Sequence, residues 1–427
     1  MVDSLAGYGC FVNTKKCSVK NCNFKYKMGT AFKATYKSID YLNQAITFTA
    51  DRPLGLADGQ VYTHSYYPDS FFGVVNRTDT RSHIYISKYE MVNNSANTVK
   101  VYFRNTTEFI KYAGMLQSMG AILPMPIWGH RVERAFTVEK NVDFGMTNVD
   151  IINYSRFGFF LSQNEGTLTL DDVDFASESE DFFFTGWRDG FHCKDNRSAI
   201  KWLNCDALGN YDDVINVSAS ALYVKDYDSK TRQISLVWAE QGGGVYYDIK
   251  AGDTLHVINT ATGEDYGLAI VGSVVKQADG ENIVVLRTNL DITDTGNNVA
   301  AYFTNRAAQG SVIDNCSFNG TFRFRGGIEI TDSYIYNMRT WIDVHTVTIN
   351  GDDYVIEAPV PAYVHYRNCT IESGSGATII IDSYNDNANG YHVKDILFEN
   401  CKLDSSTLSI GENDRQYVTL SGCTELG

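Results

Sequence analysis

One short phrase recurs along this chain and constrains its fold more than any other feature: apolar, any, Asn or Asp, Cys or another small residue, any, apolar. It appears as VKNCNF (Val19 to Phe24), MTNVDI (Met146 to Ile151), LDDVDF (Leu170 to Phe175), WLNCDA (Trp202 to Ala207) and IDNCSF (Ile313 to Phe318). It returns as ITDSYI (Ile330 to Ile335), YRNCTI (Tyr366 to Ile371) and FENCKL (Phe398 to Leu403). Neighbouring copies include spacings of 24 residues (Asn148 to Asp172) and 32 residues (Asp172 to Asn204, Asn368 to Asn400). Unequal spacings of this size, with alternating apolar residues and no helical stripe, read as a solenoid with loops of variable length. The fold expected is all-β: a right-handed parallel β-helix, each coil two or three short strands, with inserted antiparallel β-barrel or sandwich subdomains. The Asn or Asp suits a bend between strands, and the small residue after it points into a narrow interior. Packing then accounts for Cys22, Cys205, Cys316, Cys369 and Cys401 as small hydrophobes.

Two segments break the rhythm. From about 220 to 300, stretches such as LYVKDYDSKTRQISLVWAE and GDTLHVINTATGEDYGLAIVGSVV alternate strongly between turn signals, as a small antiparallel barrel or sandwich would. Residues from about 40 to 135 share that character. The expected division is β-helix coils in 1–40, an inserted β-subdomain in 41–135, and coils carrying an acidic site in 136–219. A second insertion fills 220–300 and C-terminal coils fill 301–427. The two insertions flank the acidic stretch and are expected to wall in a cleft there.

Composition narrows the partners. The chain has 427 residues, 44% of them hydrophobic, with 27 Tyr and 23 Phe, enough to bury a large core. Its formal charge of −15 argues against nucleic acid, whose phosphates need a basic surface. Nine cysteines without a CxxC pair make a disulfide framework and a zinc site poor readings. No apolar run approaches membrane-spanning length, and MVDSLAGYGC lacks the basic and apolar regions of a signal peptide.

The acids lie in WRDGFHCKDNRSAIKWLNCDALGNYDDVINV, Trp187 to Val217. Asp189 precedes the Asp212–Asp213 pair by 23 residues, close to one coil, and successive coils stack about 4.8 Å apart. Three carboxylates then share one patch. Strict alternation sends Asp212 and Asp213 to opposite faces, so both reach solvent only on a bend or bulge, which Gly209 and Asn210 make plausible. Such a patch suits glycoside hydrolysis, where one carboxyl protonates the leaving oxygen and another activates water or attacks the sugar. Like-charge repulsion raises one pKa and keeps that group protonated. The same acids also suit calcium, held structurally or by a polysaccharide lyase, and they can be plain solvated turn acids. Candidate sugar contacts are Trp187, as a flat platform, and His192, as a donor. Trp341, Asp343 and Glu357 lie in coils downstream, and Glu240 in the second insertion.

The span Arg188 to Val217 resembles the central motif of glycoside hydrolase family 110, the α-1,3-galactosidases, in which an Asp-Gly or Asp-Ala acid is followed about a coil later by HDDAINVHG. Asp189 matches the first acid, Asp212 and Asp213 the pair, and Ile215, Asn216 and Val217 the residues after it. More weakly, AGDTLHV (Ala251 to Val257) and RFRGGIEITDSYI (Arg323 to Ile335) resemble other family segments. The resemblance implies an inverting, exo-acting hydrolase that needs no metal or other cofactor and releases terminal α-linked galactose. Asp189, Asp212 and Asp213 would be its acid–base group, its partner a carbohydrate, and its location outside the cytoplasm. Tyr211 replaces the family's His before the pair, and Ser218 and Ala219 replace its His-Gly, which puts the identity of the sugar in doubt. Polygalacturonases share the DG…DD spacing, but their GHG and RxK motifs are missing. A structural, phage-type adhesion β-helix is a third reading. The oligomeric state stays open, a dimer among the alternatives.

Overall fold

All eight copies of the phrase bend at the same place. Asn21, Asn148, Asp172, Asn204, Asn315, Asp332, Asn368 and Asn400 each have φ between 48° and 58°. That left-handed conformation is one that Asn and Asp tolerate better than other residues with a side chain. In this computed structural model the bend divides two strand segments that pair, parallel and in register, with the corresponding segments of neighbouring copies. The structure describes residues 7–25, 31–53, 57–63, 70–73, 82–103, 105–107, 109–110, 113–114, 122–126, 134–154, 157–177, 185–186, 188–210, 212–238, 248–276, 282–286, 290–349 and 352–426.

The chain is all-β, and its main body is a sheet of 24 strands among the described residues, whose pairings run parallel except at one C-terminal hairpin. Its long rungs include Lys15–Lys25, Val142–Ile152 and Glu165–Ala176, with Met146 opposite both Val19 and Leu170. The small residue after each bend faces inward. Cys205, Cys316, Cys369 and Cys401 are buried, as are Val149, Val173 and Ser333, while Cys22 in the first rung is only half-buried. No disulfide links the cysteines; all nine are free. Aromatic rings stack along the same interior, Phe136 on Phe159 at 4.9 Å and Phe159 on Phe191 at 5.2 Å.

Two features of the stack are absent from the sequence reading. LSGCTE (Leu420 to Glu425) is a further copy, with Gly422 at φ 65° in the position of the Asn. A second corner is built by Lys140, Gln163 and Asp195, all with positive φ. It is followed by a buried column of Asn141, Asn164 and Asn196. The Asn141 amide donates to Asn164 Oδ1 at 3.0 Å, and the Asn164 amide to Asn196 Oδ1 at 3.0 Å. Each side-chain oxygen thus satisfies a main-chain N–H that the bend removes from the ladder.

The second insertion is a closed antiparallel barrel of six strands. In order around it run Leu222–Asp228, Gln233–Trp238, Asn282–Leu286, Asp265–Lys276, Thr254–Asn259 and Gly296–Phe303. The first insertion is an antiparallel sheet, of seven strands among the described residues, and it starts at Ala31 instead of residue 41. Strand Ala31–Asp40 pairs antiparallel with Ala45–Ala50 and Ile122–Pro126, so the alternation assigned to the N-terminal coils belongs to this sheet. The C-terminal region is also not purely parallel. A hairpin of His345–Ile349 and Asp352–Ala358 folds back antiparallel onto strand Asp213–Ser220, setting Glu357 opposite Ser220.

Candidate functional site

Strand Asp213–Ser220 sits between Phe191–Lys194 and Thr321–Phe324 in the parallel sheet, and its neighbours define the site. Five residues occupy one register position on successive strands. Phe160 is opposite His192, His192 opposite Asn216, Asn216 opposite Arg323, and Arg323 opposite Trp341. Alternation places Phe159, Phe191, Ile215 and Phe322 one residue away in the buried core, so the polar row faces the other side.

The bend before this strand is made as the sequence implied. Gly209 has φ 75°, and the buried Asn210 side chain donates to the carbonyls of Asp212 at 3.3 Å and Asp213 at 2.9 Å. The register then slips between Asp213 and Ile215, a bulge that turns Asp213 toward the row of Asn216. On the preceding strand, the Gly190 amide donates to the Asp213 carbonyl at 2.8 Å. A side chain at Gly190 would meet the Val214 carbonyl oxygen at 2.8 Å, so a glycine is what lets Asp189 approach the pair.

The three aspartates come together, one oxygen of each lying within 4.8 Å of the other two. Each has its own basic neighbour. His192 Nδ1 is 2.6 Å from Asp189 Oδ2, Arg188 Nη1 is 3.1 Å from Asp212 Oδ2, and Arg323 Nε is 2.7 Å from Asp213 Oδ2. His192 is fixed further by the Phe160 ring, stacked at 5.3 Å. Burial corrects the expectation that all three face water. Asp189 and Asp213 are 3% and 4% exposed, and only Asp212 is partly open.

Burial pushes the Asp213 carboxyl well above the usual range. Arg323 opposes that rise, while Asp212, Asp189 and Glu357 add to it. Burial works against the Arg323 charge as well, but Asp213 and Glu357 hold that guanidinium above its ordinary value. Asp213 Oδ1 is buried with no hydrogen-bond partner among the described residues, a costly state for an ionised oxygen.

Behind Asp213 lies a network. The Asn216 amide nitrogen is 3.4 Å from Asp213 Oδ2 and donates to Glu357 Oε1 at 3.0 Å. Arg325, fully buried, reaches Asp343 Oδ1 at 2.5 Å and Glu357 Oε2 at 3.3 Å. Burial raises the Asp343 carboxyl, with Arg325 and Arg323 pulling the other way. Trp341 lies under the Arg323 guanidinium, 4.1 Å from ring centre to cation.

Of the residues singled out in the sequence, Asp189, Asp212, Asp213, His192, Trp341 and Glu357 therefore fall in one connected region. Glu357 touches arginine and asparagine there, buried at 8% exposure, and is a support rather than an exposed sugar contact. Trp187 and Glu240 lie outside the described residues. The sequence reading missed Arg188, Arg323, Arg325 and Asn216. A signal was present: two arginines alternating with phenylalanines in FRFR (Phe322 to Arg325), along and just after a strand of an acidic chain, mark buried counter-ions.

A cation held by three carboxylates fits the distances but not the charges. Asp212 and Asp213 each already meet a guanidinium, whose positive charge opposes a calcium ion at the same oxygens. The arrangement suits proton transfer better: a buried carboxyl beside a more open one, each fixed in orientation by a base.

No family model matches the chain, and no curated protein matches it. Among solved structures, one partial match is the Gp54 tailspike of Acinetobacter baumannii bacteriophage AP22, in complex with A. baumannii capsular saccharide. It is 12% identical, with a TM-score of 0.16, and the match covers 73% of this chain and 47% of the tailspike. The chain spans about half of that protein's length, and so loose a likeness carries no argument about fold or activity. Among the described residues no helix is long and apolar enough to cross a membrane.

Proposed function

We propose that this chain is a glycoside hydrolase built on a right-handed parallel β-helix, with Asp189, Asp212 and Asp213 as its acid–base group. The convergence of the three carboxylates within 4.8 Å, each held by its own basic side chain, carries the reading. Asp213 is the acid. Its Oδ2 is engaged by Arg323, so its proton resides on the unpartnered Oδ1 and passes to the glycosidic oxygen as the bond to the anomeric carbon breaks. Asp212, the most open of the three, takes a proton from water as that water attacks the sugar. Asp189 raises the Asp213 pKa and is kept in place by His192.

The substrate we propose is a terminal α-linked galactoside, on the resemblance of Arg188 to Val217 to the α-1,3-galactosidases, and export of the protein belongs to the same proposal. That resemblance implies inversion. In retention, which carboxyls about 5–5.5 Å apart serve rather than roughly 6.5–9.5 Å, Asp212 would instead attack the anomeric carbon and water would then displace it. The anomeric form of the first product, read by NMR, decides between them.

The test is turnover of galactosyl-α-1,3-galactose by the wild type and by Asp189→Asn, Asp212→Asn and Asp213→Asn. Losses of about 10²–10⁴-fold are expected on removing an acid or base. Undiminished turnover in all three variants overturns the assignment, and binding of the sugar without turnover by the wild type points to an adhesion module.

A further inference from the structure

The acids lie at one end of the polar row, and its other end carries a second, differently charged surface. Trp341 follows Arg323, which follows Asn216, so it lies two strands, or about 10 Å, beyond the Asp213 region. That is the reach of a neighbouring sugar unit. Two guanidiniums attend its indole: Arg323 at 4.1 Å and Arg339 at 5.2 Å. They differ in one respect. Arg323 is paired with Asp213, whereas Arg339 is exposed and has no carboxylate partner among the described residues. In a chain of net charge −15 a solvent-facing arginine laid on a tryptophan beside a carboxylate cluster is an uncompensated cation.

A third residue completes the surface. Tyr384 is exposed at 57%, with φ 52°, a conformation a tyrosine rarely takes. Its amide is tied to Asp382 Oδ1 at 2.7 Å, and Asp382 pairs in register with Asp343. Arg325 and Arg339 lie near enough to act on its phenol electrostatically.

We infer that Trp341, Arg339 and Tyr384 form a subsite for an acidic sugar, a uronic acid unit, next to the sugar held at the aspartates. The indole and phenol offer apolar faces for the ring, and the Arg339 fork meets its carboxylate. The inference deepens the hydrolase reading and rests on it for the position of the scissile bond. The substrate class is then an acidic glycan carrying a terminal neutral sugar.

The experiment compares galactosyl-α-1,3-galacturonic acid with galactosyl-α-1,3-galactose. The wild type is expected to show a KM about tenfold lower for the acidic disaccharide, the scale of one charge-assisted contact, with similar kcat. Arg339→Gln should bring the ratio of the two KM values near one, and Arg339→Lys should restore part of it. Equal KM values in the wild type, or an equal loss for both substrates in Arg339→Gln, overturn the subsite. If the wild type cleaves neither, the hydrolase reading fails on its own. Calorimetric titration of Asp213→Asn with galacturonic acid oligomers and neutral galactose oligomers then tests the subsite separately. Binding that prefers the acidic oligomer and is lost in Asp213→Asn/Arg339→Gln upholds it, and binding without that preference overturns it.

Discussion

Arg323 holds Asp213 through a 2.7 Å ion pair between adjacent strands, although the whole six-stranded barrel lies between them in sequence. The pair stands where burial raises the acid and the guanidinium restrains that rise. Arg323 therefore tunes the pH at which Asp213 gives up its proton.

Replacing Arg323 with Gln removes the restraint while keeping a donor near Oδ2. The alkaline limb of the pH–rate profile, set by loss of the proton from the acid, should move to higher pH, measured on galactosyl-α-1,3-galactose. An unmoved limb would mean that Asp213 is not the group titrating there.

The two guanidiniums at the aspartates bear on metal binding. Because Arg188, His192 and Arg323 already face them, a chelator should change neither the melting temperature nor turnover, and added calcium should not raise the melting temperature. A rise of several degrees with calcium would show that a cation displaces these partners.

On another face, Asp150, Asp174 and Asp206 are stacked, with Asp150 opposite Asp174 and the Asp206 amide donating to Asp174 Oδ1 at 2.7 Å. Burial pushes Asp174 up to about 6 from its ordinary 3.8, and the Asp206, Asp172 and Asp150 carboxylates add to this against the Asp206 N–H bond. Between those two values the folded chain binds a proton that the unfolded chain does not, so stability falls as pH rises through them. The gap corresponds to about 3 kcal/mol at full burial, and solvent screening of this half-buried group reduces it to about 1 kcal/mol. Asp174→Asn should then unfold in urea with about 1 kcal/mol more stability than wild type at pH 7.5, and with no gain at pH 3.5.

The left-handed bends make a separate prediction. Asn315 has φ 52° and donates to Asn204 Oδ1 at 2.8 Å, one link in a column of side-chain amides. Asn315→Ala loses that bond and leaves a side chain in a conformation costing about 1–2 kcal/mol, for a total near 2 kcal/mol. Asn315→Gly, which meets no such strain, should cost about half as much in chemical denaturation.

How much of this was legible follows from where each interaction is encoded. The bends could be read because one residue type recurs at a fixed place within a short phrase, and Gly422 escaped only because glycine reaches the same φ by another chemistry. The second corner stayed hidden because Lys140, Gln163 and Asp195 share a backbone angle but no side-chain character. The three aspartates could be related by a spacing close to one repeat. Arg323 could not be assigned to Asp213 that way, since the barrel between them breaks the count, and Glu357 arrives by an antiparallel hairpin that no repeat foretells.

The barrel's own first and last strands are partners, Leu222 opposite Ala301, so its entry and exit leave the stack side by side. A domain attached this way resembles a side chain on a polymer: it can be exchanged for a short turn while the backbone on either side keeps its course. Length and ornament can thus vary independently in such a molecule, the first by whole repeats and the second by what is hung from a single corner.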